Sequence, residues 1–215
     1  MKGILFKEEL FKKTLSSEKI ATRRRININP WDYVVSPTHE LVTDSARIID
    51  IKEKEIIQII KPRYKKDEVV YLKESATEIS DTSGKIEIVN TLFKYDLSVE
   101  DRKRHKWTNK LFMPASDARH FIKIMKVYVE RLQWMEEEQY VEEGFLYDKA
   151  FHNAWDKINK APYKWSDNPW VWVYEYELLD FHGKGGEKMY EFMMDGVVHT
   201  WNDKNKTWQS DNLPF

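Results

Sequence analysis

A chain of 215 residues, 41% of them hydrophobic, is long enough to bury a core and predicts one domain with elaborations. Its 35 basic and 36 acidic residues nearly cancel, which excludes a global basic field for nucleic acid and leaves only local clusters as candidate sites. It contains no Cys, which excludes disulfides, thiolate nucleophiles and cysteine-ligated zinc. No apolar run approaches the ~18 residues of a membrane span, and the N-terminus is too charged for a signal peptide, so we expect a soluble, cytoplasmic protein.

The first half of the chain predicts short strands and one helix. Turn residues and apolar spacing predict a helix over residues 7–16 and strands over residues 3–6, 19–29, 68–73 and 86–96. Residues 30–45 carry Pro, Asp, Ser and Thr and predict an excursion from the sheet. Residues 46–60 favour two strands around a turn at 52–54, with a single helix as the alternative.

The second half predicts a core strand over 120–132, an acidic helix over 136–143 that ends at Gly144, and the strongest strand over 170–179. Residues 145–159 predict an amphipathic helix whose apolar side comprises Leu146, Ala150, Ala154, Trp155 and Ile158. Asp195-Gly196 between two apolar runs predicts a hairpin within an appended β-meander. The pattern as a whole predicts a β-dominant α+β fold, with short helices capping a curved or closed sheet.

Metal and phosphate motifs are weak. The six His residues form no pair at helical spacing, and His39-Glu40 lacks a second His four residues on, so we predict no metal site and no cofactor. The Gly-rich stretch at 182–186 lacks the spacing of a phosphate-binding loop and predicts a hairpin turn instead.

The basic segment at 15–25, LSSEKIATRRR, is the strongest candidate for chemistry. A solvated basic run is one interpretation of it. In the other, a buried Lys19 amine acts as the base for the Thr22 hydroxyl. Protonating a leaving amine would need a further acid, and the sequence leaves both Glu143 and Glu74 open for that role.

A second basic stretch, DRKRHKWTNK at 101–110, contains Trp107. It predicts either a solvated loop or a loop that contacts phosphate while Trp107 stacks on a base.

The order of several segments resembles that of ASCH-domain proteins. These segments are KGILFKEELFKKTLSSEKIATRR, KPRYKKDEVVYLKE, WTNKLFMPASDARHFIKIMKVYVERL, EEGF and NPWVWVYEYEL. The phage and prophage branch is the most similar, through Trp107, Met113-Pro114, Arg119 and the strand at 127–132. The resemblance covers most of residues 1–179, with an enlarged excursion at about 30–60, and leaves the extension at 180–215 outside.

The resemblance implies a PUA-like β-barrel whose cleft binds RNA or nucleosides. In a small amidohydrolase branch that removes acetyl from N4-acetylcytidine, a Lys, a Thr three residues later and a later Glu form the site. Carried over, Lys19 matches the base, Thr22 the nucleophile and Glu143 the acid, and Arg24 also has a counterpart. This chain is roughly twice as long as members of that branch.

Three function classes follow. The first is RNA or modified-nucleoside binding, with Arg23, Arg24, Glu74, Trp107 and Arg119 as ligand contacts. The second is a metal-independent amidohydrolase that uses Lys19, Thr22 and Glu143. The third is a protein-interaction module, for which Trp201 and Trp208 of the C-terminal meander would supply contacts.

Overall fold

The computed structural model describes residues 1–37, 45–81, 88–181, 189–194, 197–202 and 207–212. These residues form a mixed α+β structure dominated by strands, which confirms the predicted fold class at that level. None of the helices in these ranges has the length and apolar character to cross a membrane.

The elements follow the hydrophobic patterns of the sequence closely. The strands are β1 (Lys2–Leu5), β2 (Ala21–Arg25), β3 (Tyr33–Pro37), β4 (Ala46–Asp50), β5 (Ile56–Ile60), β6 (Val69–Lys73), β7 (Ala76–Asp81), β8 (Ile88–Phe93), β9 (Phe121–Arg131), β10 (Trp170–Phe181), β11 (Met189–Met194), β12 (Val197–Asn202) and β13 (Thr207–Asn212). The α-helices are α1 (Glu8–Leu15), α2 (Val99–Arg102), α3 (Glu137–Glu142) and α4 (Asp148–Ile158). Residues 46–60 form two strands, as favoured over the single helix.

The chain divides into two compact units, each assembled from separate stretches of sequence. The first unit comprises Met1–Phe11, Val70–Ile122 and Leu179–Phe215, and the second comprises Lys12–Val69 and Lys123–Leu178. The chain passes from one unit to the other inside α1, β6, β9 and β10. The predicted division into residues 1–179 and an extension at 180–215 stays a prediction.

In the first unit, β1 pairs with β6 in parallel, with Lys2 opposite Val70. β7 and β8 pair antiparallel, and β11, β12 and β13 pair antiparallel in chain order. Trp201 and Trp208 are opposite each other in the register of β12 and β13. The turns predicted at 182–186 and at Asp195-Gly196 lie outside the described residues, as does His39-Glu40.

In the second unit, β2 pairs antiparallel with β10, which places Thr22 opposite Tyr174. β3, β4 and β5 form a separate antiparallel sheet in that order. An apolar core packs β10 and the segment after β9 against α3 and α4, and its buried members are Leu132, Met135, Tyr140, Phe151, Trp155, Val171 and Val173. Helix α3 also contacts β2, where the candidate site lies.

The buried face of α4 differs from the predicted one. The helix begins at Asp148, later than expected, so Leu146 precedes it and helical spacing does not apply to that residue. Phe151 and Trp155 are buried, whereas Leu146 and Ile158 are exposed. The assignment of Leu146 and Ile158 to the apolar side was therefore wrong, because the large aromatic side chains determine which face packs.

Gly3 provides a test of the packing between β1 and β6. A Cβ at this position would lie 2.5 Å from Cζ of Tyr71, whose hydroxyl donates a 2.9 Å hydrogen bond to the Met113 carbonyl. The ring cannot retreat without stretching that bond, so we expect Gly3→Ala to lower the free energy of unfolding by about 1–3 kcal/mol. Urea denaturation measures this, and Lys2→Ala at the exposed neighbouring position should cost less than about 0.5 kcal/mol. Equal stability of wild type and Gly3→Ala would contradict the close contact.

Candidate functional site

The basic segment folds as a turn between a helix and a strand. α1 ends at Leu15, Ser17 adopts a positive φ of 58°, and the Lys19 amide donates to the Lys13 carbonyl at 3.0 Å. β2 begins only at Ala21, so strand alternation does not govern the direction of Lys19.

The Lys19 side chain is buried, with only 1% of the residue exposed. Its Nζ donates to the Glu143 carboxylate at 2.7 Å, to the Glu143 carbonyl at 3.0 Å and to the Ala21 carbonyl at 2.5 Å. These three acceptors match the three N–H donors of an ammonium group. The interpretation of this lysine as part of a solvated run was therefore wrong.

The same turn caps the C-terminus of α3. Gly144 follows Glu143 with φ of 85°, the conformation expected of a glycine that ends a helix. The carbonyls at this end accept hydrogen bonds from the Ile20 amide (to Glu142, 2.9 Å), from Lys19 Nζ (to Glu143) and from Lys13 Nζ (to Gly144, 2.7 Å). Two cations thus lie at the negative end of the helix, where they are favoured.

Arg23 joins the Lys19–Glu143 pair to a second carboxylate. Its Nε donates to Glu130 on β9 at 2.7 Å, and its Nη1 lies 3.4 Å from the other oxygen of Glu143. Nη2 is buried and has no hydrogen-bond partner among the residues that the structure describes. Glu143 therefore pairs with two buried cations. Nη2 of Arg23 could still donate to a polar atom of a ligand or to a water.

Burial shifts the pKa values of this network. Removal from water lowers the pKa of Lys19 below its usual 10.5, and attraction to Glu143 opposes the shift without cancelling it. Burial likewise raises the pKa of Glu130, against the opposing effect of Arg23. For Arg23, burial acts to lower the pKa, but the carboxylates of Glu143 and Glu130 outweigh it and raise the pKa.

Thr22 and Arg24 lie on the other face of β2 from Arg23, because successive strand residues alternate. Thr22 is buried, and Arg24 is exposed. The carbonyl that accepts from Lys19 belongs to Ala21, the residue before Thr22. Lys19 thus contacts the backbone immediately before Thr22, and exposed Arg24 lies two residues further along the strand.

Glu74 and Arg119 form a separate cluster in the first unit. Arg119 donates through Nε and Nη2 to the two Glu74 oxygens at 2.8 and 2.9 Å, and through Nη1 and Nη2 to Asp96 at 2.6 and 2.8 Å. Its guanidinium also lies 3.9 Å from the centre of the Phe93 ring. Hydrogen bonds from Arg119 lower the pKa of Asp96. A phosphate that approached Arg119 would compete with two carboxylates already in place.

The basic stretch at 101–110 is similarly matched by acids. Arg102 pairs with Glu8 at 2.6 Å, and Lys103 pairs with Glu100 at 3.0 Å. Trp107 is half-buried, and its Nε1 donates to the Arg102 carbonyl at 2.9 Å. These contacts reduce the charge that the stretch presents to a phosphate.

The structure therefore brings Lys19, Glu143 and Arg23 into one network, and Thr22 directly precedes Arg23 in β2. Glu74, Arg119 and Trp107 belong to the first unit and are not part of this network. Sequence reasoning missed Glu130. The available signal was an acidic residue inside an otherwise apolar predicted core strand, since an unpaired carboxylate is rarely buried. No group of His, Asp and Glu side chains suited to a metal ion occurs among the described residues.

Comparisons with protein-family models, with curated proteins and with solved structures found no match to this chain.

The Lys19–Glu143 pair can be tested as a unit. Glu143→Gln would leave a buried ammonium without its counter-charge, so we expect the free energy of unfolding to fall by about 3–5 kcal/mol. The double variant Lys19→Met/Glu143→Leu removes both charges and should cost less than the single variant, because neither group is then buried unpaired. Chemical denaturation of all variants gives the comparison.

An exposed lysine of the same unit supplies the control. Lys126 lies 3.4 Å from Glu175 with most of its side chain in solvent, so Lys126→Met should change the free energy of unfolding by less than about 1 kcal/mol. A Glu143→Gln variant no less stable than Lys126→Met would contradict the importance of the buried pair.

Proposed function

We propose that this chain binds a nucleoside, or one nucleoside unit of a short RNA, on the Thr22 face of β2, in an ASCH-type, PUA-like barrel. The proposal depends on the buried Lys19–Glu143 pair, in which Lys19 donates to the carbonyl before Thr22, and on exposed Arg24 on the same face of the strand as Thr22. The resemblance of the sequence to ASCH-domain proteins supports the same location and ligand class.

The concentration of buried charge supports a functional role for this region. Lys19, Arg23, Glu130 and Glu143 are all buried within a few ångströms of one another. Removing charges from water costs free energy that an apolar core of the same volume would not cost. Such arrangements with perturbed pKa values concentrate at functional sites.

The charge balance favours a small ligand over a long nucleic acid. Two cations and two carboxylates cancel within the network, and Arg102 and Arg119, which were also predicted to meet phosphate, are held by carboxylates. A long RNA would need several available cations along its backbone. A ligand with one phosphate, or none, needs fewer cations.

Each residue then has a distinct role. Arg24 lies at the exposed side and contacts a phosphate or a sugar hydroxyl. The Thr22 hydroxyl can donate to or accept from the polar edge of a base. Lys19 and Glu143 lie beneath and hold the turn before β2 in place through the carbonyl of Ala21.

Charge reversal of Arg24 tests the binding proposal. We expect wild type to bind cytidine 5′-monophosphate and a short single-stranded RNA in calorimetric titrations, with affinity that falls as salt rises. Arg24→Glu should weaken both at least about tenfold, because it replaces a phosphate contact by a repelling charge.

The matched control is Arg25→Glu. It makes the same change in net charge at the next residue, which points to the opposite face of β2, where Arg25 lies 4.6 Å over the Tyr163 ring. We expect its affinity to stay within about threefold of wild type. Equal losses in the two variants, or no binding by wild type, would reject the Thr22 face as the site.

A second candidate is hydrolysis of an acylated nucleoside, which the 2.7 Å contact between Lys19 Nζ and Glu143 favours. Transfer of the shared proton converts the ammonium and carboxylate into an amine and a carboxylic acid. Burial penalises the charged pair and so lowers the cost of this transfer. The resulting amine and acid are the base and the proton donor that the reaction requires.

In this reaction the Thr22 hydroxyl attacks the acyl carbon of N4-acetylcytidine while Lys19 takes its proton. The C–N bond breaks, the exocyclic amine leaves with a proton from Glu143, and the acetyl group stays on Thr22 Oγ. A water molecule then cleaves the acetyl-threonine ester and releases acetate.

Turnover of N4-acetylcytidine tests this candidate. We expect release of cytidine by wild type, loss of activity in Thr22→Val, which keeps the shape but removes the hydroxyl, and partial activity in Thr22→Ser. The rate should fall as pH rises through the lowered pKa of Lys19, because the pair then loses the one proton that Glu143 donates to the leaving amine. Chromatographic assay of cytidine gives both results, with Lys126→Met as the variant that leaves them unchanged. No turnover by wild type would exclude this substrate.

A further inference from the structure

Strand β5 presents a large apolar surface to solvent. It is the last strand in the order β3-β4-β5, and its sequence, Ile-Ile-Gln-Ile-Ile, is exposed almost throughout. Ile56, Ile57 and Ile59 are 54%, 52% and 59% exposed. Long apolar edge strands are usually covered, because their free backbone edge and side chains promote pairing with another chain.

The ladder between β4 and β5 leaves part of β5 without an opposite residue. The register shifts between Ile48 and Ile49, which face Gln58 and Ile56, so Ile57 is an extra residue with no Cα partner on β4. The extra residue of such a bulge is left out of the ladder. On its other side β5 has no neighbour among the described residues of this three-stranded sheet, so the backbone groups of that edge could pair with a further strand.

The sequence of β5 is its own mirror about Gln58. When two copies lie antiparallel with Gln58 opposite Gln58, Ile56 faces Ile60 and Ile57 faces Ile59 of the other copy. The same register places Glu55, just before the strand, opposite Lys61, just after it. Cross-strand pairs of opposite charge stabilise a sheet, whereas like charges opposite each other destabilise it.

We propose that β5 is a dimer interface, at which two copies of this chain join their β3-β4-β5 sheets through antiparallel β5 strands about a twofold axis at Gln58. A twofold interface requires a surface complementary to itself, and β5 meets this requirement in both its apolar residues and its flanking charges. An unrelated peptide would need to reproduce the same order of charges, so the second copy is the occupant that the sequence fits. The inference is independent of the proposed ligand site.

Cysteine substitution can locate the axis, because the chain contains no Cys of its own. Opposite residues of an antiparallel pair have Cα atoms about 4.5–5.5 Å apart, within the range that a disulfide spans. Gln58→Cys should therefore form a disulfide-linked dimer on mild oxidation. Glu53→Cys is the control, since Glu53 lies in the turn before β5, away from the axis, and should not cross-link.

Charge exchange tests the register without oxidation. Glu55→Lys and Lys61→Glu each place like charges opposite each other twice, once on either side of the axis, and should raise the dimer dissociation constant about tenfold. The double variant Glu55→Lys/Lys61→Glu restores opposite charges and should return the dissociation constant to within about threefold of wild type. Sedimentation equilibrium over a concentration series up to ~0.5 mM covers a weak interface of this size.

The cross-linking and charge-exchange experiments together distinguish a β5 dimer from a monomer or another interface. A wild-type dimer with cross-linking at position 58, weakening in both single variants and recovery in the double variant supports the proposal. A monomer throughout the series overturns it, as does equal cross-linking at positions 53 and 58 or a double variant no better than the singles. Circular dichroism establishes that each variant is folded before its association is measured.

Discussion

The ion pair between Lys19 and Glu143 is the contact on which the second unit's candidate site depends. Each group alone would be costly to bury, and each is tolerated because the other lies 2.7 Å away. The pair joins residues 124 positions apart in the chain. Arg23 extends it to Glu130, so the turn after α1, the end of α3 and the C-terminal end of β9 are held by one set of charges. Ligand binding and chemistry at Thr22 both presuppose this arrangement.

The outline of the fold could be predicted from local patterns. The alternation in β9 and β10 and the glycine that ends α3 each follow from a few consecutive residues, and the structure contains all three. The face of α4 was harder, because spacing alone did not distinguish Leu146 and Ile158 from the aromatic residues that pack. The spacing of apolar residues predicts that a segment is helical, but the residues that pack against the helix determine which of its faces is buried.

The site was less predictable. Lys19 lies in a run of Lys and Arg that local composition assigns to solvent, and nothing within eleven residues indicates that Lys19 and Arg23 are buried while Arg24 is exposed. That division depends on acids more than 100 residues away. The chemistry of the residues did not distinguish Glu74 from Glu143 as the candidate acid. Only the resemblance to ASCH-domain proteins favoured Glu143. Glu130 was missed because its role depends on Arg23, which lies on a different strand.

Positive and negative side chains also balance locally. In the first unit, Arg102, Lys103 and Arg119 each have a carboxylate within about 3 Å. Basic stretches that would suggest phosphate contacts in isolation are therefore part of mixed-charge surfaces.

The capping of α3 has a consequence for access. Six residues are too few for a helix to persist by itself, so α3 depends on the hydrogen bonds that its final carbonyls receive from Lys13, Lys19 and the Ile20 amide. Fraying of this helix end would uncover the Lys19 amine and break its contact with Glu143. Because Lys19 is buried, a molecule that reaches its amine needs such an opening. Ligand entry would then require fraying of the end of α3. The amide-exchange rate at residues 142–145 would measure how often this end opens.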